Sequence, residues 1–262
     1  MLPSCAAAGK RPMNPPPLDR AAALFLDVDG TLLEIAPRPD RVRVPPDLPP
    51  LLARLAAQRD GALALISGRP IAAVEALLRP WRGAIAGLHG AERRRADGSL
   101  AMAEESPAAR DAAAAIDRVR PALAALARRL AGLWLEDKER TLALHYRAAP
   151  ERGDEILREA ERLVEQSGGA LRLIAGKMVV EVQPRLYGKD GAIAAFMAEL
   201  PFRGRRPVFL GDDTTDEDGF AEVNRRGGLS VRVGDPVAPT LAEFVLPSVD
   251  AARAWLRSGA DA

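Results

Sequence analysis

Short apolar runs that end in acidic or small polar residues alternate with helical patterns at both ends of this chain, and that alternation limits its fold more than any other feature. Ala21 to Asp27 is a continuous apolar run closed by an acid, the look of a strand buried on both faces with a functional tip. Pro45 to Gln58 reads as an amphipathic helix with Pro in its first turn and Asp60-Gly61 as its stop. Ala62 to Ile66 reads as strand, Pro70 to Leu78 as helix and Ala84 to Gly87 as strand. The rhythm returns late, with helix over Asp190 to Leu200, strand over Val208 to Leu210, helix from Glu217 to Asn224, and strands at Leu229 to Val233 and Phe244 to Leu246. Strands alternating with helices predict a mostly parallel sheet covered by helices on both faces.

The middle of the chain has another texture. A long Ala- and Arg-rich helical segment runs from Pro107 to Leu130, with Pro121 expected to break or kink it. Strands at Leu133 to Lys138 and Thr141 to Arg147 follow, then a helix over Glu151 to Gln166 stopped by Gly168-Gly169, then strands at Leu171 to Ile174 and Met178 to Gln183. An α-β-β unit occurring twice predicts a small open sheet with helices on one face and the other face free. The expected organisation is a leader over 1–19, disordered through its prolines, a core over 20–103 and 187–262, and an inserted unit over 104–186.

Charge narrows the partners. Thirty-seven Lys and Arg against 36 Asp and Glu leave a net charge of +1, which argues against neutralising nucleic acid or coating an anionic membrane. No run of 18 apolar residues is present to span a bilayer. Cys5 is the single cysteine, so no intramolecular disulfide forms, which suits a cytoplasmic protein.

The chemistry starts at Asp27-Val28-Asp29-Gly30-Thr31. Two carboxylates two residues apart at a strand end reach one reacting group only if the backbone turns, and Gly30 permits the turn. Such a pair divides labour between nucleophile and proton carrier, although an isolated D-x-D-G is equally a strand-end turn with a solvated second acid. Asp212, Asp213, Asp216, Glu217 and Asp218 form a second acidic string after another short strand. Five carboxylates in seven residues repel one another unless a cation sits among them, and oxygen ligands favour a hard ion such as Mg²⁺. The same string is also a good helix start, with Asp216 to Asp218 partly capping and Asp212 the better ligand. Ser67-Gly68-Arg69 and Gly188-Lys189-Asp190-Gly191 place a hydroxyl and an ammonium at helix starts. In an open α/β sheet, ligands collect at the carboxyl ends of the strands, where these four segments converge.

D-V-D-G-T, S-G-R, G-K-D-G and G-D-D-T-T-D-E-D, in that order, resemble the four motifs of haloacid dehalogenase (HAD) superfamily phosphatases, with an insertion resembling their α/β (αββαββ, C2-type) cap. Gly87 to Glu92, Glu136-Asp137-Lys138, His145-Tyr146-Arg147 and Gly176 to Glu181 narrow the resemblance to the trehalose-6-phosphate phosphatases, over about residues 20 to 250. The resemblance implies a HAD-like Rossmannoid core and Mg²⁺-dependent hydrolysis through an aspartyl-phosphate. It assigns Asp27 as nucleophile and Asp29 as general acid and base. Ser67 and Lys189 would bind the phosphoryl group, with Gly68 and Arg69 beside it. Mg²⁺ would lie on the Asp27 carboxylate, the Asp29 backbone carbonyl and Asp212, backed by Asp213 and Asp216.

Strand alternation adds an independent reading of the insertion. Trp134, Glu136 and Lys138 share one face, as do Ala143, His145 and Arg147, and Lys177, Val179, Glu181 and Gln183. A mixed polar face suits sugar hydroxyls, or is simply the solvated side of an antiparallel sheet. With the resemblance, Glu136, Lys138, Lys177 and Glu181 are expected to read the sugar, joined by His145, Arg147 and, from the core, His89 and Glu92. The insertion is expected to open and close about 103–107 and 184–188. The expected substrate is trehalose 6-phosphate, with a functional link to the synthase that makes it. The alternatives are another sugar phosphate, such as sucrose phosphate or a glycosyl-phosphoglycerate, or a non-catalytic sensing partner of a synthase.

Overall fold

A computed structural model describes residues 14–36, 41–102, 107–176, 178–185 and 187–261. The main sheet has eight strands in the order β12-β11-β10-β1-β2-β3-β4-β5. Its centre is β1 (Ala23–Leu26), flanked by β10 (Pro207–Gly211) and β2 (Leu63–Ile66), with β3 (Ala84–Gly87) beyond β2 and β11 (Leu229–Val233) and β12 (Phe244–Leu246) beyond β10. All of these pairings are parallel, so the expected parallel sheet forms, with Phe25 level with Phe209 on one side and Ala64 on the other.

Every residue of β1, β2, β3 and β10 is buried, which is why these strands read as unbroken apolar runs. One side chain set, including Leu24, Leu26, Leu65 and Leu210, packs under α1 (Leu48–Ala57), α2 (Ile71–Leu78) and α7 (Val249–Asp261). The opposite set, including Phe25, Ile66 and Phe209, packs under α5 (Lys189–Met197) and α6 (Glu217–Arg225). Phe25 stacks on Phe202 at 5.4 Å, and each such buried side chain contributes about 1.5–3 kcal/mol.

Three features of the main sheet and its helices differ from the expectation. The hairpin β4 (Glu92–Arg94) and β5 (Leu100–Met102) extends the sheet antiparallel to β3. Its charged residues give no apolar signal. Arg93 instead forks onto Glu199 with two 2.8 Å bonds, and Arg94 pairs with Glu75, so backbone pairing and ion pairs hold this edge. Helix α7 adds a last element after β12, where Ser248 caps it through the Ala251 N–H and Val249, Ala252, Leu256 and Ala260 bury one face. Leu18 packs against Gly259 of α7 and Trp255 donates to the Pro16 carbonyl, so the end of the expected disordered leader is fastened to the core. Residues 1–13 lie outside the described residues.

The second sheet is antiparallel, in the order β6-β7-β9-β8. It comprises β6 (Trp134–Asp137), β7 (Leu142–His145), β8 (Leu171–Gly176) and β9 (Val179–Pro184), with α3 (Pro107–Arg129) and α4 (Gly153–Glu165) packed on one face. The α-β-β order holds twice. Helix α3 runs through Pro121 without the expected break. Leu135, Leu142, Leu144, Val180 and Val182 face the helices. The register sets Trp134 opposite His145, Glu136 opposite Ala143, and Ala143 opposite Glu181, so the polar residues share the other face as alternation requires. Residues 103–106 and Leu186, in the expected hinges, fall outside the described residues. Among the described residues no helix is long and apolar enough to cross a membrane.

Candidate active site

The carboxyl ends of β1, β2 and β10 bring Asp27, Ser67 and Asp212 to one rim, and α5 starts there with Lys189. Lys189 is buried, and its ammonium donates to Asp27 Oδ1 at 2.8 Å and Asp216 Oδ1 at 2.5 Å. Asp216 is a hub, since its Oδ2 also accepts the Asp212 and Asp213 backbone N–H groups, each at 3.0 Å. Asp213 is exposed and turns its carboxylate onto the Thr214 N–H, closing a capping box with Asp216. Among the described residues the carboxylates able to share one ion are Asp27, Asp212 and Asp216, with oxygens within 4.8 Å of one another.

Gly30, at φ +88°, is required twice over. It carries the chain through the left-handed region, and a Cβ there would lie 2.0 Å from Asp212 Oδ2. The turn delivers Asp29 to Arg69, whose Nε and Nη2 donate to the two carboxylate oxygens at 2.6 and 2.7 Å. That bidentate ion pair raises the Arg69 pKa still further. Arg69 thus acts first on Asp29, a contact that motif spacing does not reveal. Ser67 is buried beneath it and accepts the Arg69 N–H at 3.1 Å.

Electrostatics marks the rim as short of positive charge. Burial pushes the Asp27 carboxyl well above the usual range; Lys189 opposes this, while Asp216 and Asp29 reinforce it. Asp212 is pushed up too, by burial and by Asp27 and Asp216. Burial lowers the Lys189 pKa, but Asp216 and Asp27 more than reverse that, so it stays charged. Asp27 Oδ2 is buried with no hydrogen-bond partner. An orphaned carboxylate oxygen beside an all-oxygen donor set is what a hard divalent cation fits.

The polar face of the small sheet closes over this rim. Glu181 lies 3.5 Å from His89 Nε2 of the core and 3.5 Å from Lys138 Nζ. Burial alone would raise the Glu181 pKa, but His89 and Lys138 hold it down at about 2. His89 follows β3 in a left-handed turn with Leu88, at φ 56° and 48°, and its ring packs where a Cβ on Gly68 would sit, 2.8 Å from Nε2. Two such non-glycine residues in succession store strain of the kind found at functional sites. Glu136 accepts from His145 at 3.0 Å, which lowers its pKa. Trp134, to which sequence reasoning gave no role, is 55% exposed and stacks on His145 at 4.6 Å. Arg147 lies exposed beyond the end of β7, and Lys177 lies outside the described residues. Glu92 accepts the Ile71 N–H at the start of α2 at 3.0 Å.

The family model for trehalose-phosphatase matches residues 25–247. The chain belongs to the trehalose-phosphatase family. It is 46% identical over 242 residues to the trehalose-6-phosphate phosphatase of Escherichia coli, covering 92% of this chain and 87% of the relative. A probable trehalose-phosphate phosphatase of Sinorhizobium fredii is 45% identical over 231 residues, with 88% and 84% covered. Among solved structures, the C-terminal domain of the Candida albicans trehalose-6-phosphate phosphatase superposes with a TM-score of 0.79 at 22% identity, covering 95% and 99% of the two chains. The C-terminal domain of the C. albicans trehalose synthase regulatory protein shares the fold, with a TM-score of 0.71 at 12% identity and 96% and 100% coverage. The family thus pairs with a HAD-type α/β fold and a separate small antiparallel sheet.

Proposed function

We propose that this trehalose-phosphatase family member hydrolyses trehalose 6-phosphate to trehalose and phosphate, with residues 104–186 acting as a cap over the rim. The observation that carries the chemistry is the orphaned Asp27 Oδ2, a free lone pair at the rim, while Lys189 holds the other oxygen. The Asp27 carboxylate attacks phosphorus through one oxygen, and the P–O bond to the sugar breaks as Asp29 delivers its proton to the sugar oxygen. Asp29 then takes a proton from the water that hydrolyses the aspartyl-phosphate, freeing phosphate and Asp27. Both Asp29 oxygens now rest on Arg69, so one of these bonds opens for the proton to be carried. Lys189 and the Ser67 hydroxyl bind the transferring group, and Asp216 fixes Lys189 in place.

The Asp27 and Asp212 carboxylates, with the Asp29 backbone carbonyl, would hold Mg²⁺. When bound it offsets the repulsion between carboxylate and phosphate. Both Asp216 oxygens are already committed, which leaves it a supporting rather than a ligating role.

On the cap face, Glu136, Lys138, His145 and Glu181, with Lys177, supply donors and acceptors for the disaccharide, and His89 joins them from the core. A lone cysteine suits a reducing compartment, and on that ground we place the enzyme in the cytoplasm, functionally downstream of a synthase. Phosphate release from trehalose 6-phosphate, sucrose phosphate and a glycosyl-phosphoglycerate, with Mg²⁺ and with chelator, tests the reading. The expected result is release from trehalose 6-phosphate with Mg²⁺ alone. Preference for another sugar phosphate overturns the substrate, and release from none leaves a sensing partner of a synthase.

A further inference from the structure

Asp218 ends the acidic string, yet neither the cation nor phosphoryl transfer uses it. It is held from across the molecule. Arg172, on β8 of the small sheet, donates from Nη1 to Asp218 Oδ2 at 2.6 Å. Its Nη2 donates to the Tyr187 carbonyl at 2.6 Å. With the buried Gln183 amide oxygen turned to the guanidinium, Nη2 and Nε donate to it at 2.9 and 2.8 Å. A Cβ on Gly188 would lie 2.8 Å from Nη2, so the residue before Lys189 passes directly beneath the guanidinium. Asp218, in turn, stands two residues after Asp216, the acid that holds the Lys189 ammonium.

One planar cation therefore joins the small sheet, the segment entering Lys189 and the start of α6. A half-exposed ion pair contributes little by itself, about 0–1 kcal/mol, and Asp218 is 48% exposed. The carbonyl and the buried amide make this a fork with fixed geometry, which a lysine cannot reproduce. We propose that Arg172 is a positioning residue for phosphoryl transfer. By locking the seated small sheet to Tyr187 and Asp218, it sets Lys189 against Asp27 and Asp216. This rests on the reading of Lys189 as a phosphoryl-binding group, where an error of about 1 Å can cost on the order of a hundredfold in rate.

The test uses Arg172→Gln, Arg172→Lys, Asp218→Asn and the double variant Arg172→Gln/Asp218→Asn in the full chain, assayed with trehalose 6-phosphate and Mg²⁺. Arg172→Gln is expected to lower kcat about tenfold or more with KM changed less than about threefold. Arg172→Lys recovers less than half of the lost rate, and the double variant is no slower than Arg172→Gln because both substitutions break one unit. In substrate-free, metal-free protein, amide hydrogen exchange over 187–190 is faster in Arg172→Gln than in the parent. Wild-type kcat in Arg172→Gln, single losses that multiply in the double variant, or unchanged exchange over 187–190 each overturn the proposal. If Arg172→Gln does not fold, Arg172→Lys and Asp218→Asn decide it, and parent-like rates and exchange in both sink it. A parent protein that releases no phosphate would defeat the functional reading instead, while the exchange measurement still reports on Arg172.

Discussion

The rim of the main sheet and the polar face of the small sheet handle charge in opposite ways. At the rim, Asp27, Lys189 and Asp216 are buried and locked by bonds of 2.5 to 2.8 Å, on strands and a helix start packed from both sides. On the small sheet, Glu136 and His145 are about a third exposed, and Glu181 meets its partners at a looser 3.5 Å. The contrast separates two tasks. Charge that must act on a transferring phosphoryl group is preorganised where reorganisation is smallest. Under the proposed function, groups that accept sugar hydroxyls keep bonding capacity free on the small sheet.

The sharpest break of that contrast is Asp27→Asn, which is expected to lower phosphate release at least about a thousandfold without changing the thermal midpoint much. Residual activity near the parent level would mean that another group attacks phosphorus. Gly30→Ala comes next, because the added Cβ strikes the Asp212 carboxylate at 2.0 Å and strains the φ of +88°. Activity should drop about a hundredfold and the Mg²⁺ requirement should move to higher concentration, as read by Mg²⁺ titration. An unchanged Mg²⁺ response would remove Asp212 from the ligand set.

Glu181→Ala and Lys138→Ala probe the other region. Each should cost about tenfold to a hundredfold in kcat/KM on trehalose 6-phosphate and less than about threefold on a small aryl phosphate. Equal losses on both substrates would make the face structural. Glu181 also carries a pH signature. Its folded pKa of about 2 lies below the ordinary 4.5, so the unfolded chain binds the extra proton. Its contribution, at most about 3 kcal/mol, is complete above pH 4.5 and fades as the pH falls toward 2. Chemical denaturation at pH 6 and pH 3 should show the gap between the parent and Glu181→Gln narrowing at the lower pH; a constant gap breaks the assignment. The smallest effect on activity is expected from Pro121→Ala in α3, which removes an interior helix proline. It should stabilise the protein by about 1–3 kcal/mol with kcat/KM unchanged, seen by thermal unfolding alongside the assay.

The parallel core, the repeated α-β-β insertion and the sided strands of the small sheet were legible because burial imposes a period on the sequence. The β4–β5 hairpin was not, because Glu92, Arg93 and Arg94 are held by backbone pairing and by partners distant in the chain, Glu199 and Glu75. Helix α7 has a local signal, since Ser248 and the spacing of Val249, Ala252 and Leu256 mark it. At the site, motif order singled out Asp27, Asp29, Ser67, Lys189 and Asp212. It could not tell that Asp213 caps a turn while Asp216 anchors Lys189, because the two differ only in which oxygen finds which N–H.

The sequence by itself determined which residues stand at strand ends, which share a face, and where the carboxylates crowd together. Those properties follow from local period and from the order of residues along the chain. Only the tertiary structure decided the pairs that close the site: Arg69 on Asp29, Glu181 between His89 and Lys138, and Arg172 on Asp218. Each joins segments between 40 and 92 residues apart, and such contacts depend on how packed layers bring side chains within 2.6 to 3.5 Å, which no local period encodes.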